Sequence, residues 1–175
     1  GLDDEDIFDL SAGFYTITVT DDNLCVETLS VEVVEPSDLL IESSVNTWPC
    51  GYEIQCFGDT TGFVNITVSG GTTPYDYTWY VDSDGDGEYD DNDDDGEYDI
   101  YAITDDLTNV TPGSYSIFVE DGNGCLDSIV DITFTEPDPL FVEATTSTTV
   151  CFSESEGFID LTVSGGCVFT DYTFS

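Results

Sequence analysis

Two consecutive nine-residue units carry the densest chemistry in the chain: Asp82-Ser83-Asp84-Gly85-Asp86-Gly87-Glu88-Tyr89-Asp90 and Asp91-Asn92-Asp93-Asp94-Asp95-Gly96-Glu97-Tyr98-Asp99. In each, acidic residues stand at the first, third and fifth positions, ahead of a glycine at the sixth. Carboxylates so spaced converge on one ion. The glycine permits the sharp turn, the next carbonyl can coordinate, and the ninth position adds another oxygen. The expected ligands are Asp82, Asp84, Asp86, Glu88 and Asp90 in the first unit, and Asp91, Asp93, Asp95, Glu97 and Asp99 in the second. Hard oxygen donors without His or thiolate predict Ca2+ rather than zinc or copper. The twelfth position falls on Asp93 in the first loop but on Ala102 in the second, which lacks a closing Glu. No helical periodicity flanks either loop, so this is not an EF-hand pair. Bound metal would order and stiffen the insertion. The competing reading is a solvated acidic loop.

Cysteine is the second reactive group. Cys56 and Cys151 occupy equivalent places in two similar stretches, as do Cys125 and Cys25. One bridge per domain is therefore expected, Cys56–Cys125 and Cys151–Cys25, with Cys50 and Cys167 left to pair between neighbouring domains. Six cysteines and no CxxC favour an oxidising, extracytoplasmic setting over a metal or redox role. Asn65 and Asn109 head N-x-Thr tripeptides, and Thr60 and Ser128 sit in Asp-Thr/Ser patterns suited to O-glycosylation; all four are candidate glycan sites. Tyr75, Tyr77 and Trp79 alternate along one strand with Tyr80 opposite. Core packing is the expected use of that face, and a sugar-binding platform the alternative. With no His, Lys or Arg, a shifted carboxylate is the one ordinary general base near neutrality. A carboxylate pair for glycoside hydrolysis ranks last, and the chain reads as a non-enzyme.

The charge balance narrows the partners. The 175 residues hold 39 Asp plus Glu and no Lys or Arg, a formal charge of −39. Nothing neutralises phosphates, so nucleic acid is excluded, as is electrostatic docking on anionic membranes. Self-repulsion at this charge calls for counter-ions, and bound divalent metal is the leading candidate ahead of an acidic surface adapted to high salt. No apolar run is long enough to span a membrane as a helix. The absence of Met and of a leader-like segment predicts a mature or excised piece.

The elements that must position these residues are strands. Val64, Ile66 and Val68 alternate with Phe63, Asn65 and Thr67, and Tyr115, Ile117 and Val119 alternate likewise, the period of half-buried strands. The pattern also recurs along the chain. Gly62 to Gly71 returns as Gly157 to Gly166, Gly13 to Val19 as Gly113 to Val119, and Glu35-Pro36 as Glu136-Pro137. Gly122-Asn123-Gly124 supplies residues suited to the positive φ of a tight hairpin. The expectation is all-β: tandem antiparallel β-sandwich domains, one whole and one split between the two chain ends. Residues 1–38 form the second half of a repeat, 39–138 a complete repeat with the acidic insertion 82–99, and 139–175 the first half of the next, completed by 1–38 of an adjacent copy. From Cys56 to Cys125 is 69 positions and from Cys151 through the junction to Cys25 is 49, a difference close to the length of the insertion. Either one long polypeptide or separate subunits sharing strands would follow, and both make a linear assembly of copies, head to tail.

Cys56-Phe57-Gly58, Gly62 to Gly71, Pro74 to Trp79, Pro112 to Tyr115, Asp121 to Cys125 and Glu136-Pro137 together resemble the SprB-type repeat of secreted Bacteroidetes surface adhesins. The resemblance implies immunoglobulin-like sandwiches arrayed in long chains at the cell surface. The insertion resembles the aspartate-rich calcium loops of thrombospondin type 3 repeats. The acidic insertion, Cys50, Cys167 and the missing cations depart from the repeat pattern. The reading that follows is a structural unit of an extracellular, calcium-stabilised filament. Its alternative is a cell-surface adhesin that binds glycans through exposed aromatics.

Overall fold

The computed structural model describes residues 6–91, 98–147 and 157–167. The chain divides into two compact units, Gly1–Asp38 and Leu39–Ser175. In the first, β1 (Gly13–Thr20) and β2 (Val26–Val33) form an antiparallel hairpin in register from Gly13↔Val33 to Thr20↔Val26. The second unit begins with β3 (Leu40–Val45), β4 (Gly62–Ser69), β5 (Tyr75–Asp82), β6 (Leu107–Val110), β7 (Gly113–Asp121) and β8 (Leu126–Phe134). Two three-stranded sheets result, in the orders β3-β4-β6 and β5-β7-β8. A further antiparallel pair, β9 (Phe141–Thr146) and β10 (Ile159–Ser164), follows. No helix occurs among the described residues, so the all-β expectation holds.

The alternation read from the sequence fixes which faces meet. Val64 is fully buried while Phe63, Asn65 and Thr67 are exposed, and Tyr115, Ile117 and Val119 are all fully buried. These residues join Ile41, Trp79, Val81, Leu107, Val110, Ile132 and Phe134 in one core between the two sheets. Two features belong to an immunoglobulin-type sandwich. Trp79 lies buried on β5, its Nε1–H donating to the Thr104 carbonyl at 2.8 Å. Tyr115 donates its hydroxyl proton to the Thr111 carbonyl, four residues upstream, at 3.1 Å, closing a tyrosine corner. Desolvation raises the Tyr115 hydroxyl to about 12, so it remains a donor at any physiological pH.

The β1–β2 hairpin copies β7–β8 in fine detail. Tyr15 donates to the Ser11 carbonyl at 2.7 Å, the same corner. Asp9 and Asn109 share a positive φ, 58° and 59°, at equivalent places before each corner. Asp21 caps one hairpin tip and Asp121 the other, each accepting the amide of the residue two on and of the following cysteine at 2.8–2.9 Å. Of Gly122-Asn123-Gly124, only Gly124 takes a positive φ, and Leu24 adopts the same conformation in the first unit. One difference is the extra residue in β8. Its register slips between Tyr115 and Ile117, where Asp131 has φ 60° and its amide reaches the Ser116 hydroxyl.

Candidate metal centre and repeat boundary

The first acidic unit begins in the last residue of β5. Paired as a strand, Asp82 leaves the sheet with its carboxylate turned back over the following turn. One oxygen accepts the Gly85 amide at 2.7 Å and the other the Gly87 amide at 3.0 Å. Asp84 accepts the Asp86 amide and Asp86 the Glu88 amide, a chain of Asx turns that coils the loop. Gly85 and Gly87 hold positive φ, 77° and 90°, which the coil demands. Carboxylate oxygens of Asp82, Asp84 and Asp86 thereby come within 4.8 Å of one another. Glu88, Asp90 and Asp91 line one depression of about 350 Å³ with Asp84 and Asp86. Asp90 closes the loop: its side chain accepts the Ser83 amide at 3.0 Å, and its own amide donates to the Val81 carbonyl at 2.8 Å. The Asp99 amide donates to the Asp90 carbonyl, so the end of the second unit returns beside the end of the first. Asp93, Asp95 and Glu97 lie outside the described residues. Oxygen donors this close repel one another strongly unless a cation sits among them, and they suit a hard divalent ion.

The insertion is anchored by aromatic rings. Tyr89 stacks on Tyr80 of β5 at 5.1 Å, Tyr98 meets Tyr89 edge-on at 5.3 Å, and Tyr80 meets Phe118 of β7 at 5.7 Å. Tyr89 and Tyr98 hold the same place in the two nine-residue units, a regularity the sequence displays but whose target it conceals. Tyr75 and Tyr77 pack at the core edge with buried Trp79, as expected of that face.

The disulfide framework corrects one expectation. Cys56 and Cys125 are both free and exposed, and no bridge joins them. Their places in the sandwich explain this. Cys56 lies in the loop between β3 and β4, at the end where β8 exits: the Ile54 amide donates to the Thr135 carbonyl, and the Gly58 amide to Glu136 at 2.6 Å. Cys125 lies at the β7–β8 tip, the other end of nine-residue β8. At about 3.3 Å per residue the two cysteines stand roughly 30 Å apart, far beyond the ~7 Å Cα separation a disulfide spans. Cys25 is also free, and Cys151, its expected partner, lies outside the described residues.

Cys50 and Cys167 do pair, with Cα atoms 5.7 Å apart. Cys50 belongs to a segment that only this loop has. Val45 and its partner Val64 are nineteen positions apart, whereas Thr146 and Ile159 are thirteen, so the β3–β4 loop is six residues longer. Cys167 follows β10 in the turn equivalent to Thr72 after β4, each behind Ser-Gly-Gly. The bond ties the β3–β4 loop to the turn after β10. Around it, Trp48, Cys56, Phe57, Pro137, Leu140 and Cys167 line an apolar cavity of about 430 Å³, and the Gly166 amide donates to the Asp138 carbonyl.

At the opposite end of the whole repeat, Asp121 organises the hairpin tip. The Cys125 amide, and after it those of Thr72 and Asn123, hold its carboxyl below the ordinary value against the effect of desolvation. The same carboxylate raises the Cys125 thiol. A folded-state pKa that is depressed contributes stability fully present above the unfolded value and lost as pH falls through the folded one. The stability difference between the protein and Asp121→Asn is therefore expected to be constant at neutral pH and to shrink below pH ~4, the ordinary Asp range. Urea titrations of both forms across that range check it.

Asn65, Asn109, Thr60 and Ser128 are all exposed.

A family model described as the SprB repeat matches residues 53–83, from the Glu53 loop through β4 and β5 to the first acidic turn. No curated protein and no solved structure matches the chain. No helix among the described residues is long and apolar enough to cross a membrane.

Proposed function

We propose that this chain is a structural repeat of an extracellular surface fibre, in which copies join head to tail and calcium stiffens the acidic insertion. One observation carries the head-to-tail reading. Residues that form the core of the whole repeat have counterparts in β1 and the segment before it that lie open to solvent. Leu107, Ile117 and Val119 are 4%, 0% and 0% exposed, whereas Ile7, Ile17 and Val19 are 54%, 45% and 63% exposed. In the whole repeat Ile117 and Val119 of β7 face the β3-β4-β6 sheet, in which Leu107 lies beside β4. The matching cover is the β9–β10 hairpin, whose Val142 and Ile159, the counterparts of buried Ile41 and Val64, are equally uncovered. An apolar face of this kind on a hairpin with a native-like tip and corner is half of a sandwich. The SprB match at 53–83 supports a surface repeat rather than an enzyme, and the Cys50–Cys167 disulfide supports an oxidising location. Exposed Asn65, Asn109, Thr60 and Ser128 are open to covalent glycans.

The convergence of Asp82, Asp84 and Asp86 supports Ca2+. Calcium at a hundredfold excess over its dissociation constant is expected to stabilise the folded chain by about 2.7 kcal/mol. Asp84→Asn/Asp86→Asn should abolish that gain without lowering the midpoint measured in chelator. Scanning calorimetry with calcium and with chelator reads both; identical midpoints for the unsubstituted protein would remove the metal from the account.

A second reading, glycan binding, is favoured by the shallow aromatic depression of about 380 Å³ formed by Tyr80, Tyr89, Tyr98 and Phe118. A neutral-sugar array signal that disappears in Tyr98→Ala would support it.

A further inference from the structure

We propose that Cys56 forms a disulfide with Cys25 of the following copy, so that the thiols matched within each repeat are used between repeats. The inference rests on the head-to-tail reading above.

Cys56 lines the apolar cavity at the repeat boundary together with Cys167, and Cys167 is held there by its bond to Cys50. Position 167 corresponds to Thr72, and in the whole repeat Thr72 is the seat of the β7–β8 tip. The Gly122 amide donates to the Thr72 carbonyl at 2.7 Å, the Asn123 side-chain amide to the Thr72 hydroxyl at 2.9 Å, and the Thr72 amide to Asp121 at 2.8 Å. The β1–β2 tip is built the same way. The Asp21 amide donates to the Cys25 carbonyl at 3.0 Å, the Leu24 amide to the Asp21 carbonyl at 2.9 Å, and the Cys25 amide to the Asp21 carboxylate at 2.8 Å. When β1–β2 of the following copy completes the sandwich begun by β9–β10, its Asp21–Cys25 tip docks on the turn that carries Cys167. That turn borders the cavity where the Cys56 thiol stands exposed.

The strand geometry that forbids a bridge within a repeat favours one across the joint. The whole repeat holds Cys56 at the end where β8 leaves, and head-to-tail stacking sets it against the Cys25 hairpin tip of the next repeat. The bond forms by oxidation of both thiols. Two electrons pass to a disulfide oxidant such as oxidised glutathione, which is reduced to two thiols; the two thiol protons balance the exchange.

The test is peptide mapping of the assembled chain after exposure to oxidised glutathione and alkylation of the remaining thiols. Trypsin finds no site, but cleavage after glutamate places each of the six cysteines on its own peptide. The expected result is a Cys56 peptide joined to the Cys25 peptide, absent in Cys56→Ser and in Cys25→Ser while both variants still form filaments. Filaments whose Cys56 is alkylated, or whose Cys25 is joined to Cys151, overturn this bond and leave the head-to-tail reading standing. A chain that stays monomeric, with Cys56 alkylated, overturns both.

Discussion

Replacing Ile17 with aspartate is expected to abolish head-to-tail assembly while leaving the whole repeat folded. Ile17 is 45% exposed, and its counterpart Ile117 is fully buried in the core between the sheets. Covering β1–β2 with a β9–β10 hairpin places residue 17 in that core. A carboxylate there has no cation to meet, because the chain contains none. An uncompensated buried charge costs roughly 4 kcal/mol or more. Each 1.4 kcal/mol is a factor of ten in an equilibrium constant, so assembly should weaken by at least about a thousandfold. Thr18→Asp, on the opposite face of β1, adds the same charge and should assemble as the unsubstituted chain does. Sedimentation velocity separates the two. Equal assembly by both variants would mean that this face of β1 is not what joins the copies.

Trp79→Ala is expected to cost the whole repeat about 3–5 kcal/mol, the range for truncating a buried large aromatic. That is a large part of the ~5–15 kcal/mol that holds a domain of this kind together. The side chain is fully buried, and its loss also orphans the Thr104 carbonyl that accepts its Nε1–H. Trp79 has a second function through its backbone. Its amide donates to the Ala102 carbonyl and its carbonyl accepts the Tyr101 amide, so the chain leaving the acidic insertion is pinned at the same residue. The substitution should therefore weaken calcium binding together with the core. Trp48 survives in the variant as a fluorescent reporter for urea titration. A loss below about 1 kcal/mol would show that the core does not depend on this ring.

Much of the fold was legible because a sandwich strand writes its burial directly into the sequence. Val64-x-Ile66-x-Val68 and Tyr115-x-Ile117-x-Val119 declared their inner faces, and the recurrence of Gly13 to Val19 as Gly113 to Val119 placed β1 as a second copy of β7. The one-residue bulge in β8 had a visible trace as well. Ten positions separate Cys25 from Glu35, and eleven separate Cys125 from Glu136. The cysteine pairing was legible only in part. Equivalent positions in two repeats reveal correspondence, but not which end of a sandwich each occupies, and that depends on strand direction and length. Cys56 and Cys125 stand at opposite ends of β8, so the bridge inferred from correspondence fails, while Cys50 and Cys167, left over because they lacked counterparts, pair as expected. The first acidic loop was readable from its spacing, since Asp82, Asp84 and Asp86 converge as alternate positions on a tight coil should. The stacking of Tyr89 on Tyr80 was not, because a loop carries no periodicity that tells where its aromatics land.

Head-to-tail completion of one copy's sandwich by the next requires that the purified 175-residue chain polymerise by itself. Electron microscopy of the chain in millimolar calcium under oxidising conditions is the measurement. A sandwich with nine-residue strands is about 30 Å long before its end loops are added. Two repeats per copy thus predict unbranched filaments with an axial repeat of roughly 70–90 Å. Monomers, or closed rings of any size, would contradict it.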